Sequence, residues 1–363
     1  MKNLFVLLVC SCIGLSPFAL QAQSSYKYDV EKVVDDVYVL KPAINDLRWV
    51  TTSIVVIIND ADIFVVDSGL LPSAGEEAIK EIKKLSTKPV KYLLNTHWHG
   101  DHWQGNEAFV RNYPAVQIIS SREAYKGINR NGMVWVRQFY IKHFSNYIVS
   151  YESAVKNGKS EDGKSLSADT LKFISEGLQG MKNDLEELKK LKPVVPTMTF
   201  SDQLVITSGK REFQLHYFGW GNTTGDAVLY LPNEKILIPG DLVVYPSPYE
   251  SGAFSREWFE TSKKLSQFDF KHLIPGHGIV QHDRLYLDYL NALFSETIKQ
   301  LNEAYIQGKN TLDEFQSTVT HASVISELGK NHPDFLPYVK NLDPAFVPAA
   351  VRSAFQKAKE GKL

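Results

Sequence analysis

The sequence predicts an α/β protein. Short β-rich runs joined by turn signals alternate with amphipathic helical stretches, and several of the apolar runs end in polar turns that contain glycine. The chain has 363 residues, 44% hydrophobic and 22% charged, an ordinary globular balance that suits one large domain with additions.

Residues 1 to 22 come first. Lys2 gives a positive start, Leu4 to Leu20 is almost wholly apolar, and Ala22 offers a small residue for cleavage before Gln23. This reads as a signal peptide, which implies an exported protein, periplasmic or secreted. A transmembrane anchor is the alternative, but Ser11, Gly14, Ser16 and Pro17 interrupt a run that is short for a span. No stable membrane insertion is expected after cleavage. Both cysteines, Cys10 and Cys12, lie in this segment, so the mature chain has no disulfide and no thiolate ligand.

From Tyr28 to Asp67 the β-rich runs are VYVL at 37 to 40, SIVVII at 53 to 58 and IFVV at 63 to 66, with a turn at 59 to 62. After Asp67, Ser68 and Gly69, the spacing of Ala74, Ala78, Ile79, Ile82 and Leu85 predicts an amphipathic helix over 73 to 85. VKYLL at 90 to 94 is a further strand, and residues 116 to 119 another. Between about 121 and 192 strand signals vanish, and two helical stretches flank the polar break NGKSEDGKS. The second carries Leu171, Ile174, Leu178, Met181, Leu185 and Leu188 at spacings of three and four, a core-packing stripe on a helical insertion.

Strands return as QLVI at 203 to 206, EFQLHYF at 212 to 218, AVLYL at 227 to 231 and KILI at 235 to 238. A helix is expected over 256 to 268, then the strand HLI and the turn PGHG at 275 to 278. The main domain accordingly runs from 23 to 283, followed by a helical C-terminal extension over 284 to 363 that either covers the domain or makes a dimer contact.

The chemistry concentrates in THWHGDH at 96 to 102, which leaves the strand VKYLL. His97, His99, Asp101 and His102 stand within six residues, and Gly100 permits a sharp turn. Imidazoles and a carboxylate so close together are zinc ligands, spread widely enough for two adjacent ions. Net charge is −1 with no block of one sign, so neither nucleic acid nor an anionic membrane is indicated as a partner. A small-molecule substrate is.

HxHxDH after a strand resembles the signature of the metallo-β-lactamase superfamily. DSG at 67 to 69, GD at 240 to 241 after KILI, and PGHG at 275 to 278 are similar to three further landmarks of that family, in the same order. The resemblance covers roughly residues 30 to 285 and implies an αββα sandwich. Carried over by position, it implies that His97 and His99 bind a first metal, that Asp101, His102 and His277 bind a second, and that Asp241 bridges. Asp67 would orient the ligand loop by hydrogen bonding. The family's remaining first-metal ligand is a histidine, and GWGNTTGD at 219 to 226 places Asn222 there. An amide oxygen is a weaker zinc ligand than imidazole. The ion content expected is therefore one or two Zn²⁺, with iron or manganese as alternatives.

With export read from residues 1 to 22, the resemblance implies a metal-dependent hydrolase in which metal-bound hydroxide attacks an amide or ester carbon, Asp101 positioning the hydroxide and taking its proton. β-Lactam hydrolysis is the leading specific expectation. A lactonase or thioesterase-type hydrolase is the alternative, as is a metal-stabilised binding protein with weakened catalysis. Candidate pocket walls are Arg48, Trp49, Trp98, Trp103, Trp220 and the stretch PSPYESG at 246 to 252. Oligomeric state carries no signal.

Overall fold

The computed structural model describes residues 26–43, 52–249 and 255–359. Residues 1–22, read above as an export signal, lie outside the described residues, as do Arg48, Trp49 and the end of PSPYESG. Two sheets face each other. The first has seven strands in sequence order: β1 (Tyr28–Val34), β2 (Val37–Pro42), β3 (Ile54–Ile58), β4 (Ile63–Val66), β5 (Val90–Leu94), β6 (Gln117–Ser121) and β7 (Met198–Phe200). Pairing is antiparallel from β1 to β4 and parallel from β4 to β7. The second comprises β8 (Gln203–Ser208), β9 (Arg211–Tyr217), β10 (Ala227–Leu231), β11 (Ile236–Val244) and β12 (His272–His277), ordered β12-β11-β10-β9-β8.

Alternation of side chains across each strand builds the layers. Val55, Ile57, Phe64, Val66, Leu94 and Ile119 of the first sheet meet Phe213, Leu215, Leu229 and Ile238 of the second in one inter-sheet core. Ile54, Val56, Ile63, Val65 and Leu93 point the other way, onto α1 (Pro72–Leu85) and Phe109 of α3 (Asn106–Asn112), the latter preceded by the short α2 (Gly100–Trp103). Strands buried on both faces need apolar residues throughout, which is why IVVII and IFVV do not alternate. The outer face of the second sheet is covered by α7 (Ser255–Leu265) and the C-terminal helices, chiefly α8 (Leu285–Ile306), through Trp258, Tyr286, Leu290 and Phe294. The layers are thus helix, sheet, sheet, helix, with residues beyond 284 supplying much of the last layer.

The segment 121 to 192 forms α4 (Arg122–Trp135), a π turn over Val136–Tyr140, α5 (Ile141–Asn157) and α6 (Ala168–Lys190). α5 and α6 pack through Phe144, Ile148, Ile174, Met181 and Leu188, and this core continues into Leu70, Leu71 and Ala74 at the start of α1. Three details differ from the sequence reading. The tight loop expected after His99 is instead the helical turn α2, so Asp101 and His102 stand on a helix. β11 runs on past KILI through Pro239, Gly240 and Asp241, because it pairs with β12 across a register shift there. β1 escaped notice because its burial is partial and irregular, as on a sheet edge. Among the described residues no helix is long and apolar enough to cross a membrane.

Candidate metal centre

The strand ends deliver the chemistry to one edge of the sandwich. β5 ends at Leu94 and hands the chain to His97, His99, Asp101 and His102; β11 carries Asp241; β12 ends on His277. His97, His102 and Asp241 offer ligand atoms that all lie within 4.8 Å of one another, and so do Asp101, His102 and His277. His102 belongs to both groups. Its Nε2 is 3.3 Å from Asp101 Oδ2 and 3.4 Å from Asp241 Oδ1. Asp241 Oδ2 lies 3.6 Å from His97 Nε2 and 3.5 Å from His277 Nε2. That is a bridging disposition, one carboxylate reaching three imidazoles. His99 is in neither compact group, although its Nδ1 is 3.0 Å from His97 Nε2.

A carboxylate can enter this position only because a glycine faces it. A Cβ on Gly276 would lie 2.0 Å from Asp241 Oδ1, so PGHG needs its first glycine to admit the ligand from the neighbouring strand.

Orientation comes from groups around the ligands. Asp67, at φ 62° in the DSG turn, accepts hydrogen bonds from the backbone N–H of Thr96 at 2.8 Å and from its hydroxyl at 2.9 Å. Asp67 Oδ2 is also 2.7 Å from Nδ1 of His102. With Nδ1 donating to Asp67, Nε2 of His102 is the nitrogen turned to the carboxylates, and its lone pair is the one a metal ion would take in exchange for a proton. Thr52 packs on the same Nδ1 at 3.2 Å and donates to the Gly276 carbonyl, tying the start of β3 to the His277 loop. Tyr140, from the insertion, donates to Asp101 Oδ1 at 3.2 Å and accepts from the Gly100 N–H at 3.1 Å.

The electrostatics follow from burying three carboxylates among imidazoles. Burial alone would raise Asp101 and Asp241, but His102 and His277 outweigh it and hold both well below the carboxylate range. Burial would lower His102, yet Asp101, Asp241 and Asp67 push it well above an ordinary histidine. His277 is pushed up to about 10 against burial, chiefly by Asp241 and Asp101. His97 and His99 go the other way, His99 to about 4, because burial dominates there. Protons on His102 and His277 balance the carboxylates that a divalent ion would otherwise balance.

Asp101 Oδ2, His102 Nε2, Asp241 Oδ1 and Asn222 Oδ1 are buried polar atoms without a properly directed hydrogen bond. Buried polar atoms are rarely left so, and here they belong to residues of the motifs. The donor set is nitrogen and oxygen, as zinc accepts. These residues fit a metal ion.

Asn222 sits in a loop locked on itself. Asp226 accepts from the Thr223 N–H at 2.7 Å, and Gly221 N–H donates to the Thr223 carbonyl at 2.8 Å. Burial pushes Asp226 up to about 7. The Asn222 amide nitrogen donates to the Tyr249 carbonyl at 3.0 Å. A carbonyl only accepts, so the amide nitrogen must face Tyr249, which leaves Oδ1 as the buried, unpartnered end.

Of the candidate pocket walls, Trp103 is not one. It is 1% exposed, and its indole N–H donates to the Trp98 carbonyl, which makes it a packing residue beneath the ligand loop. Trp220 and Tyr249 are exposed. Sequence reasoning missed Thr52, Thr96 and Tyr140. Thr96 opens the motif and was within reach; an aromatic on an amphipathic helix carries no such signal.

Comparisons with known proteins bear on the family and the fold. Residues 47–277 match the model of the metallo-beta-lactamase superfamily. The chain is 24% identical over 262 residues to the linear primary-alkylsulfatase of Pseudomonas sp. (strain ATCC 19151), covering 66% of this chain and 46% of that protein. It is 29% identical over 139 residues to the type 2 metallo-beta-lactamase of Bacteroides fragilis, covering 36% of this chain and 52% of the relative. The chain thus spans about half the length of these two curated relatives. Among solved structures, the stereoselective inverting sec-alkylsulfatase Pisa1 from Pseudomonas sp. superposes with a TM-score of 0.62 at 15% identity, over 91% of this chain and 50% of that one. The chain belongs to the metallo-beta-lactamase superfamily.

Proposed function

We propose that this chain is a metal-dependent hydrolase acting on an ester or amide bond of a small molecule. The observation that carries the reading is Asp241, whose carboxylate reaches His97, His102 and His277 at once, with unpartnered buried atoms around it. His97, His99, Asn222 and Asp241 would hold one zinc ion, and Asp101, His102 and His277 a second, with Asp241 shared. Bound zinc supplies Lewis acidity and lowers the pKa of a coordinated water to about 7. Asp67 holds His102 in the metal-binding tautomer, and Tyr140 holds Asp101. The closed Asn222 loop and the buried Trp103 keep the ligand loops rigid.

β-Lactams are the first substrate class to test, and similarity to the type 2 enzymes supports them. Sulfate-ester hydrolysis is the second reading, favoured by a specific observation: the match to the sec-alkylsulfatase covers 91% of the chain and so extends past residue 277 into the C-terminal helices. Export is proposed from residues 1 to 22. The test is turnover of nitrocefin, a lactone, a thioester and a linear alkyl sulfate, with protein stripped of metal and reloaded with zinc. Activity that disappears on stripping and returns on loading supports the reading. No turnover of any substrate by fully loaded protein sinks it. One tightly held ion, unchanged by Asn222→His and with no activity gained, would favour a binding protein.

A further inference from the structure

We propose that the helical insertion completes the metal centre through Tyr140, a positioning residue whose hydroxyl decides which oxygen of Asp101 is offered to a metal. Tyr140 is 3% exposed, and its hydroxyl uses both capacities: it donates to Asp101 Oδ1 at 3.2 Å and accepts the Gly100 N–H at 3.1 Å. With Oδ1 so engaged, Oδ2 is the oxygen turned toward His277 Nε2 at 3.1 Å and His102 Nε2 at 3.3 Å. A free carboxylate can rotate and exchange its oxygens; one held by a phenol from behind presents a single ligand atom. Tyr140 thereby does for the carboxylate what Asp67 does for the imidazole of His102.

Three further observations tie the insertion to the ligand loops. Tyr140 closes a π turn, a helical distortion often found at functional sites. A Cβ on Gly100 would lie 2.6 Å from Cε2 of Tyr140 and 2.3 Å from Nε2 of Gln104, so the glycine of HGDH leaves room for the ring. On α4, Gly127 admits Trp98 of the ligand motif, for a Cβ there would meet Cγ of that ring at 2.4 Å. Packing alone would be served by phenylalanine at position 140. Burying a phenol without partners is costly, and here both partners belong to the metal loop.

Tyr140→Phe in the full chain tests this by zinc binding against a chromophoric chelator, a readout that stands whatever the substrate is. One equivalent of zinc should loosen about 10–100-fold. The melting temperature of metal-free protein should fall by only a few degrees, because two buried hydrogen bonds are lost, and any activity lost at limiting zinc should return in excess zinc. Ile148→Ala, in the same helical core but away from the loop, should lower the melting temperature and leave zinc affinity unchanged. Parental affinity for every equivalent in Tyr140→Phe overturns the proposal, and so does an equal loosening in Ile148→Ala. Should Tyr140→Phe not fold, 3-fluorotyrosine at position 140 reads the same contact. Its ¹⁹F resonance should shift as zinc saturates the site, and a resonance unmoved at saturation overturns the proposal.

Discussion

Oδ2 of Asp67 lies 2.7 Å from Nδ1 of His102, and the same carboxylate also holds the backbone and hydroxyl of Thr96. One buried side chain therefore sets both the ring orientation of His102 and the path of the loop that carries His97, His99 and Asp101. Asp67→Asn keeps a residue that tolerates the positive φ but replaces the carboxylate. Zinc affinity should fall about 10–100-fold, measured by chelator competition. Unchanged affinity would show that His102 needs no orienting partner.

Proton linkage gives a second prediction. The folded-state pKa of His277 is raised from 6.5 to about 10, and that of His102 is raised too, so the stability they contribute is full below pH 6.5. It is lost as pH rises toward 10. Metal-free protein should therefore lose melting temperature between pH 7 and pH 9.5 more steeply than zinc-loaded protein, whose ligands carry no such protons. Zinc binding near pH 7.5 should release about two protons, read by calorimetry in buffers of different ionisation enthalpy. Parallel melting profiles for the two forms would contradict this.

Asn222→Ala should weaken one equivalent of zinc and leave the other near its parental affinity, because the unpartnered Oδ1 is removed while Asp101, His102 and His277 are untouched. Asn222→His should tighten the same equivalent, imidazole being the better zinc ligand. Metal stoichiometry after dialysis against a weak chelator decides the matter. Identical stoichiometry in all three proteins would remove Asn222 from the ligand set.

Gly225→Ala places a Cβ 2.3 Å from the backbone nitrogen of Ala124, where nothing can yield cheaply. The cost expected is about 1–3 kcal/mol, the usual penalty for overpacking. Urea unfolding should show a lower midpoint with an unchanged slope. Wild-type stability would mean that α4 moves away from the Asn222 loop at no cost.

Much of this was legible in the sequence because the motifs are local. THWHGDH sits in seven consecutive residues, and GD and PGHG come directly after short apolar runs. Other features depend on approach between distant segments. That His102 is shared between both groups follows from where β11 sets Asp241, and β11 continues through proline and glycine only because β12 pairs alongside. Tyr140 sits 39 residues from Asp101 along the chain, so no spacing rule connects them. Trp103 looked like a pocket wall from its place beside two ligands, but the turn of α2 points it inward.

The candidate ligands come from both sheets, and the last of them, His277, is reached three quarters of the way along the chain. No nascent piece ending before that residue possesses the whole cage. Metal acquisition at this site would therefore be a late event, governed by the supply of ions where folding finishes. An ion held there would clasp the two halves of the sandwich to each other, so a chelator should loosen this one edge and leave the rest of the fold in place.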